Sequence, residues 1–307
     1  MQDWPDYQLI DFGAGGRGGG RKLERFGTVV CDRPCPAAHT PVGDRSRWGQ
    51  AATRYTGAKV GDGRWVSPQP TTIASSGREA VEVPLADGLA FQMRVELSPA
   101  GQVGLFPEQF ANWRWIARRV AAARRPWRLL NLFAYTGGST LAAAAAGAAA
   151  AGGEAAAGVE VTHVDASKPS VALARQNAEL SGLAAAPIRW FVEDALKFCR
   201  REARRGNRYD AVVLDPPTYG HGPKGEEWRL ARDLPVLLEL IAELTDRAPA
   251  LLLASCHTPG VGPAELSAYV ADAVVGHCAA PPASGRLWLA TEDGRRLESG
   301  VYARMPS

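Results

Sequence analysis

The chain has 307 residues, 46% hydrophobic and 22% charged, which excludes disorder over most of its length and suits one large domain or two modest ones. Its 35 Lys+Arg against 32 Asp+Glu leave a net charge of +3, too small on its own to mark a nucleic-acid binder. No apolar run approaches the ~20 residues of a membrane span, and the opening MQDWPDYQLIDFG lacks the basic-then-apolar layout of a signal peptide, so a soluble, cytoplasmic protein is the expectation.

Residues 1–100 read as a small β-rich module. YQLIDF (7–12), RFGTVVC (25–31), GRWV (63–66), EAVEVPL (79–85) and LAFQMRVEL (89–97) alternate or carry β-branched residues, with Gly, Pro and Asp between them. The character changes near Gly101. EQFANWRWIARRVAAARR has helical spacing that places Phe110, Trp113 and Val120 inward.

Beyond Pro126 strands and helices alternate. The predicted strands are WRLLNLF (127–133), VEVTHVD (159–165), IRWFVED (188–194), YDAVVLD (209–215) and APALLLASC (248–256). The predicted helices are STLAAAAAG (139–147), KPSVALARQNAELSG (168–182), ALKFCRREARRG (195–206) and LARDLPVLLELIAELTD (230–246). Four β-α units and a fifth strand, joined by short turns, predict an α/β fold with a mostly parallel sheet covered on both faces. Residues 101–307 then form one domain behind the β-rich module. The Ala/Gly-rich segment 142–158 is expected to be a tolerated surface insertion without chemistry, either an overrunning helix or a loop.

Several features carry less than they promise. Gly13, Gly15 and Gly18 spell G-x-G-x-x-G, but no helix opens after them to receive a pyrophosphate. The cysteines are Cys31, Cys35, Cys199, Cys256 and Cys278, an odd, scattered set that argues against a disulfide framework. Cys31, Cys35 and His39 do not complete a zinc site, and no metal is expected. Only five of the Lys+Arg are lysines. That bias fits codon usage in a GC-rich genome as well as it fits function. Arginines cluster at 114–128 and 200–208, where they either meet phosphates or form solvated helix faces.

In an open parallel sheet, ligands bind beyond the carboxyl ends of the strands. The first strand is followed by Asn131-Leu132-Phe133-Ala134-Tyr135-Thr136-Gly137-Gly138, where paired glycines allow close backbone approach but do not make a pyrophosphate loop. The next three strands all end in aspartate: Asp165, Asp194 and Asp215. One such Asp is often only a helix cap. Three behind a Gly-containing turn suit a nucleoside with an amino-acid tail, with Asp165 accepting ribose hydroxyls and Asp194 an exocyclic amine. In Asp215-Pro216-Pro217 the prolines stiffen the turn and remove two donors, which leaves a rigid acceptor edge. The fifth strand ends in Ser255-Cys256-His257-Thr258, where Cys256 is either a nucleophile or a small buried hydrophobe.

The runs LLNLFAYTGGSTLAA, VTHVDASKPSVALARQNAELSGL, IRWFVEDALKF, YDAVVLDPPTYGHGPKG and LLLASCHT together resemble class I S-adenosylmethionine-dependent methyltransferases. Within them the likeness is to the branch containing the large-subunit ribosomal RNA cytosine-5 methyltransferases. It covers roughly residues 101–260. It implies a Rossmann-like seven-stranded sheet whose C-terminal β-hairpin is residues 284–304. S-adenosylmethionine is the implied cofactor. Phe133, Tyr135 and Gly137 would line its methionine part, Asp165 with Ala166 and Ser167 its ribose, and Asp194 with Ala195 its adenine. Phe106 and Gln109, in the GLFPEQFANW segment, and Asn131, Ala134, Thr136, Asn177 and Pro216 belong to the same implied cofactor set. Asp215 would open the substrate side, and Cys256 stands where the RNA enzymes carry their nucleophile.

Three functions follow. The first is methyl transfer to a base of ribosomal RNA at cytosine C5, with Cys256 and Asp215 catalytic. The second keeps the cofactor but takes a nitrogen of another RNA base or a small molecule, with Cys256 incidental. The third, a nicotinamide dinucleotide oxidoreductase or nucleotide-binding module, lacks the three spaced glycines its phosphates need.

Overall fold

The computed structural model describes residues 4–14, 19–59, 61–67, 79–151, 158–276 and 280–306. Gly15, Gly18, Cys278 and residues 152–157 lie outside the described residues. The chain forms two compact units, each drawn from several segments. The first comprises Met1–Pro84, Gln92–Phe110 and Trp288–Ser299; the second comprises Leu85–Phe91, Ala111–Leu287 and Gly300–Ser307.

The β-rich segment forms a five-stranded sheet in chain order: β1 (Tyr7–Ala14), β2 (Gly20–Phe26), β3 (Val29–Pro34), β4 (Thr53–Tyr55) and β5 (Trp65–Val66). The stretch 25–31, expected as one strand, turns at Gly27 (φ 56°), so β2 and β3 pair back antiparallel with Phe26 opposite Val29. A two-stranded sheet follows from β6 (Glu79–Pro84) and β7 (Ala90–Val95).

Inside this unit is a buried charge cluster. The Glu24 carboxylate accepts from Arg33 Nε at 2.7 Å, Lys22 Nζ at 2.9 Å and the Tyr7 hydroxyl at 2.9 Å. Arg33 also donates to Gln102. Burial alone would raise the Glu24 carboxyl, but Arg33 and Lys22 hold it down at about 2.

The second unit carries α1 (Phe110–Ala121, whose first residue belongs to the first unit) and then the predicted alternation. Its elements are β8 (Trp127–Leu132), α2 (Gly138–Ala151), β9 (Val159–Asp165), α3 (Lys168–Leu180), β10 (Ile188–Val192), α4 (Ala195–Arg204), β11 (Ala211–Leu214), β12 (Tyr219–His221), β13 (Glu227–Arg229), α5 (Leu230–Leu244), β14 (Leu251–Cys256), α6 (Pro263–Val270), β15 (Ala283–Ala290) and β16 (Arg296–Met305). The sheet order is β10-β9-β8-β11-β14-β16-β15. The first five strands are parallel, and β16 runs antiparallel beside β14. Two departures of the chain direction, toward β9 after β8 and toward β14 after β11, leave the switch point between β8 and β11, where such sheets bind ligands.

The sheet is Rossmann-like and mixed, with the C-terminal hairpin in place. One face, through Leu130, Leu132, Val212, Leu214, Leu252, Ala254 and Cys256, joins α4, α5 and α6 in a single apolar core. Alanine-rich α2 departs from expectation. It runs to Ala151, and Leu141 to Ala146 are buried, so this part is a core helix rather than a surface insertion. Small side chains, with alanine's high helix propensity, let a helix lie close on a strand. The hairpin β12–β13 was not expected; its three-residue strands are too short for an alternation to register.

Candidate active site

The loop after β8 holds two non-glycine residues in the left-handed region, Phe133 (φ 54°) and Tyr135 (φ 48°), followed by Gly137 (φ 96°). Each non-glycine residue there costs roughly 1–3 kcal/mol, so the surroundings must enforce it. They do so through named groups. Ala134 N–H donates to the Val164 carbonyl at 3.1 Å. Tyr135 N–H donates to Asp165 Oδ2 at 2.8 Å. Asn177 Nδ2 donates to the Thr136 carbonyl at 2.9 Å.

The paired glycines do separate jobs. Gly137 takes the positive φ, whereas a side chain on Gly138 would meet the Trp113 ring at 2.5 Å. Gly138 is therefore a packing glycine rather than a ligand-facing one.

Asp165 is the hub of the loop. Its second oxygen accepts Ser167 N–H at 2.8 Å. Burial pushes its carboxyl above the usual range, against these two backbone bonds. Each oxygen spends one acceptor site on the backbone and keeps one for hydroxyl donors. The amides of Ala134, Tyr135 and Gly137 are consumed within the loop and its neighbours. A phosphate would find a carboxylate here and no fan of N–H donors, while a ribose diol and a cationic tail would fit.

Beneath the loop is a buried polar chain. Asn131 Nδ2 donates to Thr140 Oγ1 at 2.9 Å, and that hydroxyl lies 3.0 Å from His163 Nδ1. Asn131, Thr140, His163 and Asn177 are all buried; Asn177 holds the loop through the Thr136 carbonyl, while Asn131 ties β8 to α2. Thr140 and His163 were not singled out from sequence. A His alternating with valines in a strand reads as one more inward residue.

Burial drives His163 down to about 3, against a pull from the Tyr135 carbonyl. The neutral imidazole is thus the folded form. Below the unfolded value near 6.5 the unfolded chain takes up a proton that the folded chain refuses, so stability falls as pH drops from about 6.5 toward 3. The expected slope from this group is about 1.4 kcal/mol per pH unit. Denaturant unfolding at pH 7.0, 6.0 and 5.0 checks it, and His163→Gln flattens that dependence.

Ser167 caps α3, its hydroxyl accepting Ser170 N–H at 3.3 Å, with half-buried Ala166 before it. Asp194 caps α4, accepting Lys197 N–H at 2.9 Å, and Ala195 opens that helix buried. Phe106 and Gln109 belong to the first unit, where Gln109 N–H donates to the Phe106 carbonyl at 3.0 Å in a single 3-10 turn.

On the other side of the switch point, the parallel register sets Leu214 of β11 beside Ala254 of β14. Asp215 and Cys256 therefore end neighbouring strands. Asp215 N–H reaches the Leu132 carbonyl at 3.4 Å, and its Oδ1 lies 3.4 Å from His257 Nε2. Pro216 is buried. Trp228, in β13, donates from Nε1 to the Pro217 carbonyl at 2.7 Å and packs edge-on against Phe133 at 4.8 Å. Cys256 is 1% exposed and lies in the apolar core. Burial pushes the thiols of Cys31, Cys35 and Cys199 up, which makes those three poor nucleophiles. Among the described residues no three His, Cys, Asp or Glu side chains group as metal ligands, and no helix is long and apolar enough to cross a membrane.

Residues 64–277 match the family profile described as S-adenosylmethionine-dependent methyltransferase. A crystal structure of a SAM-dependent methyltransferase from Agrobacterium tumefaciens is similar, with 33% identity, 97% of this chain and 89% of that chain covered and a TM-score of 0.81. A methyltransferase solved in complex with SAH shares the fold at 18% identity and a TM-score of 0.66, over 96% of this chain and 75% of that one. Among curated relatives, Ribosomal RNA large subunit methyltransferase I of Aeromonas salmonicida is 31% identical over 125 residues. That match takes in 41% of this chain and only 28% of the relative's length. With the profile spanning most of the chain and the strand-end carboxylates suited to a nucleoside with a cationic tail, the chain belongs to the S-adenosylmethionine-dependent methyltransferase family.

Proposed function

We propose that the chain methylates ribosomal RNA at C5 of a cytosine, with Cys256 and Asp215 catalytic. The observation that carries this reading is the placement of a cysteine and an Asp-Pro-Pro turn at the ends of adjacent strands, β14 and β11. The curated relatives named as ribosomal RNA large subunit methyltransferases support the substrate class.

In this reading Phe133, Ala134, Tyr135, Thr136 and Gly137 shape the wall for the cofactor's amino-acid part, Asn177 holds that wall, and Asn131 ties β8 to α2. Asp165 accepts the ribose hydroxyls, flanked by Ala166 and Ser167. Asp194 and Ala195 border the adenine. The bound cofactor supplies an electrophilic methyl group on a sulfonium. The Cys256 thiolate adds to C6 of the cytosine, which makes C5 a nucleophile toward that methyl. Asp215 holds the pyrimidine's amine edge. The C5 proton then leaves to a base, for which the Asp215–His257 couple is at hand, and elimination returns the thiolate. The target base has to be unstacked to reach these groups.

The near-complete burial of Cys256 favours a second reading, methyl transfer to a ring or exocyclic nitrogen. There Asp215 orients and desolvates the amine and the thiol only packs. Nucleoside mass mapping of large-subunit ribosomal RNA, with and without the gene, tests the proposal. Loss of one 5-methylcytidine is expected. Loss of an N-methylated nucleoside selects the second reading, and an unchanged RNA overturns the proposal and leaves only a small-molecule acceptor for the second.

Asp165→Ala removes two backbone anchors and the proposed ribose acceptors. Hydrogen bonds to a charged group contribute about 1.5–3 kcal/mol each, so S-adenosylhomocysteine affinity is expected to fall by roughly 30-fold or more. Isothermal calorimetry reads it directly. Asp165→Asn, which keeps acceptor capacity at one position, should lose less.

A further inference from the structure

The turns after β11 and β14 border a cavity of about 710 Å3 that none of the roles above uses. Its size falls within the ~300–1,000 Å3 range of pockets that take small organic ligands. Thr218 and Thr258 stand on its wall, joined hydroxyl to hydroxyl at 2.8 Å. The cavity therefore begins three residues past Asp215 and two past Cys256.

Its wall has the makings of a nucleotide site. Tyr219 is 50% exposed, yet its hydroxyl is tied to His221 Nε2 at 3.0 Å and Glu227 Oε1 at 3.3 Å. An exposed ring held by its own hydroxyl is a pre-ordered platform that gives up little rotamer freedom on binding. Tyr269, on α6, presents a second ring that is 37% exposed. Arg229 adds a guanidinium, itself supported by Glu227 at 2.9 Å. Pro235 sits inside α5 without an N–H, so the Ala231 carbonyl, also on this wall, loses its i+4 donor and keeps capacity for another. Glu265, one turn from Tyr269 on α6, also lines the cavity, and the next depression carries Glu239 and Asp272, so these carboxylates gather on the Tyr269 side and turn a phosphate chain toward Arg229.

We propose that this cavity receives the nucleotide beside the target in a single-stranded RNA segment, its base on Tyr219 and Tyr269 and its phosphate at Arg229. The Ala231 carbonyl accepts from a base amine or a ribose hydroxyl, and the RNA leaves on the Arg229 side. The inference rests on the reading that the acceptor is RNA.

Fluorescence anisotropy of the full chain with a labelled single-stranded RNA of about eight nucleotides tests it; loss of one base-stacking platform should weaken binding by roughly tenfold. Tyr219→Ala and Tyr269→Ala are each expected to show that loss. Tyr219→Phe and Tyr269→Phe keep the stacking face and should bind within a few-fold of the parent. Calorimetry with S-adenosylhomocysteine should give parental affinity for all four variants, which establishes that they are folded. Alanine variants that bind the RNA like the parent overturn the cavity assignment while leaving the RNA reading intact. A parent chain that binds no RNA, single-stranded or duplex, overturns the RNA reading and this inference with it.

Discussion

Under the proposed covalent mechanism, Cys256→Ala is expected to reduce RNA methylation by at least about a thousandfold, a loss of ~4 kcal/mol of transition-state stabilisation. The reason is chemical. C5 of a neutral pyrimidine is a weak nucleophile, and only addition at C6 makes it strong enough to take the methyl group. Without the sulfur there is no thiol adduct at C6. S-adenosylhomocysteine affinity should remain parental, because the loop after β8 and the Asp165 hub are untouched.

The same variant discriminates the bland role. If Cys256 only fills the core among the side chains of β11, β14, α5 and α6, the substitution removes one buried group. It then costs about 1 kcal/mol of stability and little rate. Single-turnover methylation and thermal unfolding, measured on the same preparation, separate these outcomes. Full activity with lowered stability sinks the covalent mechanism.

The parts of the site legible in sequence were those written in residue type. Asp165, Asp194 and Asp215 follow apolar strands, so their position at the carboxyl edge of a parallel sheet follows from periodicity and the βαβ rule. What the sequence did not disclose was the use of backbone. Nothing in Phe133-Ala134-Tyr135 announces two left-handed residues, and it is this bend that aims Tyr135 N–H at Asp165. The Gly137-Gly138 pair suggests close approach to a ligand, but half of that requirement comes from Trp113, a residue 25 positions earlier in the chain. Such pairings exist only after the helix α1 has packed.

The hairpin β12–β13 escaped for a related reason. GHGPKG reads as a loop, and three residues on each side carry no period. Trp228 was the available clue, since a tryptophan in a polar turn needs an apolar neighbour and a partner for its N–H. Here it finds Phe133 and the Pro217 carbonyl. The fold class was readable because it depends on many weak repeats of one pattern. The site's precision depends on single contacts across long sequence separations.

The largest stability effect is expected in the first unit, at Glu24→Ala. Lys22, Glu24 and Arg33 alternate with other residues on β2 and β3 and, from sequence, look like solvated charges. Strand pairing buries all three. Removing the carboxylate leaves two cations without their shared counter-charge in a site already withdrawn from water, a change worth roughly 3–5 kcal/mol. For a protein of this size that is on the order of 10 °C in Tm, readable by calorimetry or by circular dichroism melts.

The pH dependence has a definite sign. The folded Glu24 carboxyl is held at about 2, below its unfolded value near 4.5. Its contribution is therefore complete above about pH 4.5 and disappears as pH falls toward 2. His163 acts earlier, between about pH 6.5 and 3, so the two groups separate along an acid titration. A triple variant, Lys22→Met with Glu24→Leu and Arg33→Met, tests the physical cause. It removes every buried charge of the set together with the desolvation they entail, and such replacements are often neutral or stabilising. Recovery of most of the lost stability is the expected result. If the triple variant is as unstable as Glu24→Ala, loss of packing rather than stranded charge explains the single substitution.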